Sequence, residues 1–332
     1  MATFSRGLKA PSNLPELVRI IFAKARADKE LHYFPTQVAL LSVGSIPFQL
    51  RFSPALANKP KGPRSESGGE QKPADPFAHP PASLFIGDVG PAHYLVLNKF
   101  AVVPEHFILA TREFKQQTHV LEESDLEATL ACIKAFRSDG QDEGRRGGLF
   151  AFFNSGEHSG ASQPHRHIQL LPVARMRDGL PDDGAWNVLA ERPDVSKTPF
   201  VTFSETVSQA ISPGELHAAY LRLYRQACQA ATGKPATAIP TEGEAVISYN
   251  MAMTETTLVV CPRRAEGDAV RRPGTGQEVG RLALNGTVLA GTALVKNEAE
   301  WDVLREDPKG LVDVLAKIGV PREEEGQKRC AM

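Results

Sequence analysis

The sequence predicts an α+β fold in which an antiparallel sheet is flanked by helices. Three observations carry that reading. Short runs of β-branched and aromatic residues come in neighbouring pairs, 93–99 with 107–112 and 245–251 with 257–262, too close in sequence for crossover helices between them. Longer runs with apolar residues every third or fourth position fall between and after those pairs. No short-period repeat marks a solenoid.

In chain order, 14–28 is predicted to be an amphipathic helix whose apolar stripe is Leu17, Ile20, Ile21 and Ala25. Strand-like residues fill 38–52. The segment 57–82 is rich in Pro, Gly, Ser and Lys and reads as a surface loop. Lys59 and Lys61 stand at its start, where a basic arm could close over a phosphate chain. The strand pair 93–99 and 107–112 turns through Pro104 and Glu105. Helix 123–137 carries Leu126, Leu130, Ile133 and Ala135, with Ser124 as its cap. A polar loop leads into the buried strand LFAFF, and 174–197 reads as irregular. Helix 213–232 precedes the second strand pair, and a Pro/Gly/Arg-rich loop then leads to an extended stretch at 279–296. Helices at 298–305 and 309–318 close the chain, the second stopped by Gly319 and Pro321.

The 332 residues suffice for one large or two ordinary domains. Hydrophobic content of 42% and charged content of 23% are those of a soluble globular protein. A net charge of -1 offers no broad attraction to nucleic acid or anionic membrane, so any anionic ligand must be met by local positive groups. Cys132, Cys228, Cys261 and Cys330 are scattered without a C-x-x-C pair, which argues against a disulfide framework or zinc ribbon. Prolines and charges interrupt the N-terminal residues, and no apolar run approaches a membrane span. The expectation is a cytoplasmic protein, or one also found in the nucleus, with neither nucleic acid nor membrane as partner.

The most informative segment is 154–173, NSGEHSGASQPHRHIQLLPV. In an extended chain His165, His167 and Gln169 share one face, and Arg166, Ile168 and Leu170 the other. The loop before them, Ser155-Gly156 and Gly160-Ala161-Ser162-Gln163, lets backbone N–H groups approach an anion. A metal pair on a strand or hydrogen-bonded core histidines are the alternatives. Zinc would want further His, Cys or carboxylate ligands, Gln is a poor one, and no Cys lies near. The favoured reading is phosphate chemistry. Imidazole is largely neutral near pH 7 and a good nucleophile toward phosphorus, so His167 is the candidate nucleophile. A backbone carbonyl on its other ring nitrogen would fix the tautomer. Gln169 exchanges no proton but donates to a phosphoryl oxygen. Ser162 and Gln163 can donate to neighbouring oxygens, and His165 supports the site by hydrogen bonding.

These residues resemble a known family. GASQ-x-H-x-H-x-Q is similar to the motif of the fungal-type diadenosine tetraphosphate phosphorylases, or ATP adenylyltransferases, of the histidine-triad-like superfamily. YLVLNKFAVVPEHFILATREF, SYNMAMTETTLVVCPR, LNGTVLAGTALVK and AKIGVP resemble further parts of that family, so the likeness spans most of the chain. It implies a histidine-triad-like fold, with an N-terminal region at 1–198 and a C-terminal region at 199–332 packing into one unit. It implies His167 as nucleophile, and substrate contacts at Lys59, Asn98, Lys99, Asn154, Gly160, Ala161, Ser162, Gln163 and Gln169. In the C-terminal region the contacts fall on Asn285, Gly286, Thr287, Thr292 and Lys296. The chain departs from the pattern at Gly286-Thr287-Val288-Leu289, where the family has a small residue, Leu and an aromatic before the Ala-Gly pair. Relaxed base selectivity is therefore expected.

The reaction so implied transfers AMP from the dinucleotide to His167, expels ATP, and passes AMP to phosphate as ADP. ADP–phosphate exchange and use of sulfate-bearing adenylate also follow from the resemblance. A divalent cation, Mg²⁺, is expected to arrive on the polyphosphate, with no metal held by the protein, no organic cofactor, and a monomeric enzyme. The competing readings are a GDP-hexose phosphorylase, another dinucleoside polyphosphate phosphorylase or hydrolase of the superfamily, or a catalytically silent nucleotide sensor.

Overall fold

The computed structural model describes residues 7–58, 75–137, 148–181, 185–208 and 210–322. Helix α1 (Leu14–Ala27) precedes strands β1 (His32–Tyr33), β2 (Gln37–Val43) and β3 (Ile46–Phe52). Strands β4 (Phe85–Val89), β5 (His93–Leu97), β6 (Phe100–Ala101) and β7 (Phe107–Thr111) lead to helix α2 (Glu123–Arg137). Strands β8 (Leu149–Ser155) and β9 (His167–Pro172) follow, the latter running into the short helix α3 (Val173–Met176). Next come β10 (Phe203–Thr206), α4 (Pro213–Thr232), β11 (Ser248–Met253) and β12 (Thr257–Arg263). The hairpin β13 (Gly267–Arg271) and β14 (Glu278–Ala283), strand β15 (Thr292–Val295), and helices α5 (Glu298–Glu306) and α6 (Lys309–Ile318) complete it.

Eight strands form one sheet in the order β10-β12-β11-β8-β9-β7-β5-β4, every neighbouring pair antiparallel. The β8–β11 ladder joins residues from both sides of position 198 in one sheet. A smaller sheet, β15-β3-β2, pairs β15 with β3 in parallel and β2 with β3 antiparallel.

Alternation along the central strands sorts their side chains into two cores. Ala151, Phe153, Ile168, Leu170 and Met251 pack on one face with residues of α1, α2 and α4. Phe150, Phe152, Leu171, Ala252 and Val259 pack on the other with residues of β2, β3, β15, α5 and α6. Each fully buried Phe contributes about 1.5–3 kcal/mol relative to an exposed one. The two-residue period puts His167 and Gln169 on the face of Leu171, toward the smaller sheet, and Arg166 on the other. There Arg166 Nη1 donates to Asp125 Oδ2 at 2.8 Å and Glu122 Oε1 at 2.9 Å, and Asp125 Oδ1 lies 2.8 Å from His93 Nε2. This network pins β9 to α2. A one-residue slip would place Arg166 in the site and the histidines behind it.

Several local expectations are corrected. The buried stripe of α1 is Leu14, Val18, Phe22 and Ala25, and Ile20 is half exposed. Two stripes with helical spacing coexist there, and packing against α2 and β4 selects between them. Ser124 lies inside α2, and Asp125 instead accepts from the Glu122 amide at 2.9 Å. The stretch 279–296 is not continuous: a 3₁₀ turn at Gly286–Ala290 separates β14 from β15. The Arg-rich loop holds half of a β-hairpin, and 174–197 contains α3 and two 3₁₀ turns. Helix α4 has the predicted limits, closed by a Ser212–Glu215 capping box and by Gly233 in the left-handed region.

Candidate active site

The site forms where β8 and β9 part. Their ladder ends at Phe152–Gln169, and the buried side chain of Gln117 fills the gap. Its Oε1 accepts from the His167 amide at 2.8 Å, and its Nε2 donates to the carbonyls of Asn154 at 2.8 Å and His167 at 3.2 Å. The backbone under the histidine is thus held by an amide outside the strand ladder.

His167 is buried, and its Nδ1 donates to the His165 carbonyl at 2.8 Å. The remaining lone pair is on Nε2. Burial lowers its pKa to about 4, against an opposing pull from the hydrogen bond to the His165 carbonyl. His165 has both nitrogens occupied: Nδ1 lies 2.7 Å from Asp75 Oδ2, and Nε2 lies 2.8 Å from the Thr111 carbonyl and 3.0 Å from Thr111 Oγ1. Burial opposes ionisation of Asp75, but bonds from the Phe77 amide and His165 outweigh it and hold the carboxyl below its ordinary value. Phe77 packs on both rings, with centroids 5.7 Å from His165 and 5.0 Å from His167.

Beside these residues a cavity of about 290 Å³ opens between the two sheets. The large sheet contributes Gln169 and Leu171, with Asn98 and His106 near them. The opposite wall is Arg51, Thr292 and Lys296, with Asn285 and Thr287 from the 3₁₀ turn and Gly160 from the loop. Arg51, which belongs to no motif, is almost fully buried, its pKa lowered to about 10 by that burial. Its Nε donates to Gln49 Oε1 at 3.1 Å, its Nη1 to Thr36 Oγ1 at 3.0 Å, and its Nη2 to the Met176 carbonyl.

The loop is built onto the 3₁₀ turn. Asn154 Oδ1 accepts from the Gly286 amide at 2.8 Å and from Asn250 Nδ2 at 2.9 Å. Asn285 Oδ1 accepts from the Thr287 amide at 3.0 Å and from Thr287 Oγ1 at 2.8 Å. Gly160 has φ +78°, and a Cβ there would stand 2.7 Å from Asn285 Cβ. Gly160→Ala is therefore expected to cost about 1–3 kcal/mol and to displace the Gly160–Gln163 loop. Urea unfolding and the KM for dinucleotide would read the two effects.

Of the expected site residues, Asn98, Gly160, Gln169, Asn285, Thr287, Thr292 and Lys296 line one cavity. Asn154 and Gly286 stand behind it, bonded to each other. Ala161 and Ser162 are exposed on the loop, Gln163 is partly buried, and Lys99 is exposed beside Asn98. Lys59 and Lys61 lie outside the described residues. Sequence reasoning missed His106, Gln117 and Arg51, since none belongs to a motif. A buried His after Val-Pro-Glu at the end of the Asn-Lys-Phe segment was the one available signal. Among the described residues no group of three or more His, Cys, Asp or Glu side chains could hold a metal ion. None of the described helices is long and apolar enough to cross a membrane.

Both buried rings shape the response to acid. His106 is pulled to about 3, chiefly by burial, and His167 to about 4. The unfolded chain, with imidazoles near 6.5, binds protons that the folded chain refuses. This part of the stability is complete above about pH 6.5 and is lost as the pH falls toward the folded values. The slope is about 1.4 kcal/mol per pH unit for each ring. Urea unfolding between pH 7 and 5 should show it, and His167→Ala should remove about half.

A buried neutral imidazole, a neighbouring amide and a glycine loop at a cavity of mixed polar and apolar lining define a nucleotidyl-transferring enzyme with a histidine-triad-like fold. Comparison with known proteins agrees. The Ap4A phosphorylase N-terminal domain model matches residues 5–182, and the ATP adenylyltransferase C-terminal domain model matches residues 196–321. The chain belongs to this Ap4A phosphorylase and ATP adenylyltransferase family. It is 30% identical over 297 residues to Diadenosine 5',5'''-P1,P4-tetraphosphate phosphorylase 2 of Saccharomyces cerevisiae, covering 85% of this chain and 86% of that one. Protein APA1 of the same yeast is 25% identical over 97% of this chain and 98% of its own. The crystal structure of yeast Ap4A phosphorylase Apa2 superposes with a TM-score of 0.71 at 25% identity, covering 94% of this chain and 99% of that one. Its complex with Ap4A gives 0.70 at 26% identity, covering 94% and 99%.

Proposed function

We propose that this protein phosphorolyses diadenosine tetraphosphate to ATP and ADP through AMP carried on Nε2 of His167. The observation that carries the reading is the 2.8 Å bond from His167 Nδ1 to the His165 carbonyl, which leaves a neutral, unprotonated Nε2 on the face it shares with Gln169. The Nε2 lone pair attacks the α-phosphorus, and the bond from that phosphorus to the bridging oxygen breaks. Its electrons leave with ATP, a weak base that needs no proton. The His165 carbonyl keeps the Nδ1 proton in place while the ring carries positive charge. A phosphate oxygen then attacks the same phosphorus, the N–P bond breaks, and ADP leaves with the imidazole restored.

Gln169 supports both steps by donating to the non-bridging oxygens. Asn98, Lys99 and Lys296, with Lys59 from the preceding arm, are proposed to meet the phosphates and ribose. The amides of Gly160–Gln163 take the polyphosphate at the open side of the loop. Asn285, Thr287 and Thr292 line the nucleoside end, and Asn154 and Gly286 brace it. A divalent cation, Mg²⁺, is proposed to arrive on the polyphosphate. A monomeric enzyme is proposed, and the buried thiols of Cys132, Cys228 and Cys261, none of them in a disulfide, fit a cytoplasmic one. Product analysis tests the reading: ADP, and ATP beyond one equivalent per enzyme, should form only with phosphate present, and AMP formed without it would point to hydrolysis.

A further inference from the structure

We propose that His106 is a positioning residue: its Nε2–H meets the side-chain oxygen of Gln169 and turns that amide so that its NH₂ group faces the phosphoryl oxygens. The inference rests on the role given to Gln169 above and deepens it.

The sense of the ring follows from its neighbours. Asn98 Oδ1 accepts from the Phe100 amide at 2.9 Å, which fixes which end of the Asn98 side chain is nitrogen. That nitrogen, Nδ2, lies 3.2 Å from His106 Nδ1. A donor facing Nδ1 makes Nδ1 the acceptor, so the ring proton is on Nε2. Nε2 is buried, and no hydrogen-bond partner stands at it. A buried N–H without a partner is costly, and the polar side chain that acts on this ring is Gln169, which lines the same cavity. Because burial keeps the ring neutral, its donor sense does not change across the working pH range.

The turn that presents the ring is itself held. Glu105 adopts φ +61°, a conformation that non-glycine residues occupy only where the surroundings impose it. Its Oε1 accepts from Arg175 Nε at 3.0 Å and Arg175 Nη2 at 2.7 Å, tying the turn to α3 at the end of β9. The turn that carries His106 and the strand that carries Gln169 are thus fixed to one another. A Gln amide has two orientations of similar shape. With its oxygen inward it would repel the phosphoryl oxygens, and with its nitrogen inward it attracts them. A fixed donor behind the oxygen decides between the two.

The test is a double-mutant cycle in kcat at saturating dinucleotide and phosphate. His106→Leu is expected to lower kcat about 10–100-fold with KM changed by less than about threefold. His106→Gln, whose amide nitrogen reaches the place of Nε2, should restore most of the rate. In a Gln169→Ala background, His106→Leu should cost nothing further. Equal losses in both backgrounds, an unaffected His106→Leu, or a His106→Gln as slow as His106→Leu would overturn the proposal. If Gln169→Ala alone is silent, the role of Gln169 fails and this inference falls with it. If it is slow while the His106 losses are additive, only this inference falls. ¹⁵N NMR of the wild-type ring needs no variant: a neutral Nε2–H tautomer is expected from about pH 5 to 8, and an Nδ1–H tautomer or protonation near pH 6 contradicts it.

Discussion

His167→Ala is expected to lower kcat for diadenosine tetraphosphate cleavage by about 10⁵–10⁶-fold. His165 cannot take over the attack, because both its nitrogens are engaged, with Asp75 and Thr111. Affinity for the dinucleotide should change by less than about threefold, since Asn98, Gln169, Asn285, Thr292 and Lys296 still line the cavity. Equilibrium binding beside steady-state kinetics reads both. A loss confined to binding would make His167 a contact and not the nucleophile. In the active enzyme, the acid limb of kcat should fall near pH 4, where the buried ring protonates, and not near 6.5.

Gln169→Ala should lower kcat about 10²–10³-fold, the usual loss for one donor aimed at developing oxyanion charge. Attack by His167 and attack by phosphate pass through the same phosphorus, so both steps should slow together. Gln169→Glu separates donation from shape. A carboxylate of nearly the same volume places negative charge against the phosphoryl oxygens, so this variant should be at least as slow near neutral pH. It should recover partly as the pH falls and the carboxyl gains a proton that it can donate. Rapid-quench kinetics of ATP release and of ADP formation would resolve the two steps.

The central strand was legible because its two-residue period carries both chemistry and burial: one face is His167 and Gln169, and the other is Arg166, Ile168 and Leu170. Helices α2, α4 and α6 have their expected limits, α2 legible from its apolar spacing and α6 from its stop residues. What failed has physical reasons. In α1 two stripes satisfy helical spacing, and only the partner elements choose. The β13–β14 hairpin is half polar and hides in an Arg-rich segment. Gln117 reaches His167 from 50 positions away along the chain, and His106 lines the same cavity as Gln169 from 63 positions away, which no local pattern encodes. Arg51 reads as an ordinary surface cation until β3 is folded under β15.

The most direct measurement is mass spectrometry of the protein mixed with diadenosine tetraphosphate in the absence of phosphate, then digested and sequenced. One adenylyl group on the peptide containing His167, discharged as ADP when phosphate is added, is the predicted result. An unmodified His167 during turnover, or a label on another residue that phosphate discharges at the catalytic rate, would contradict the mechanism.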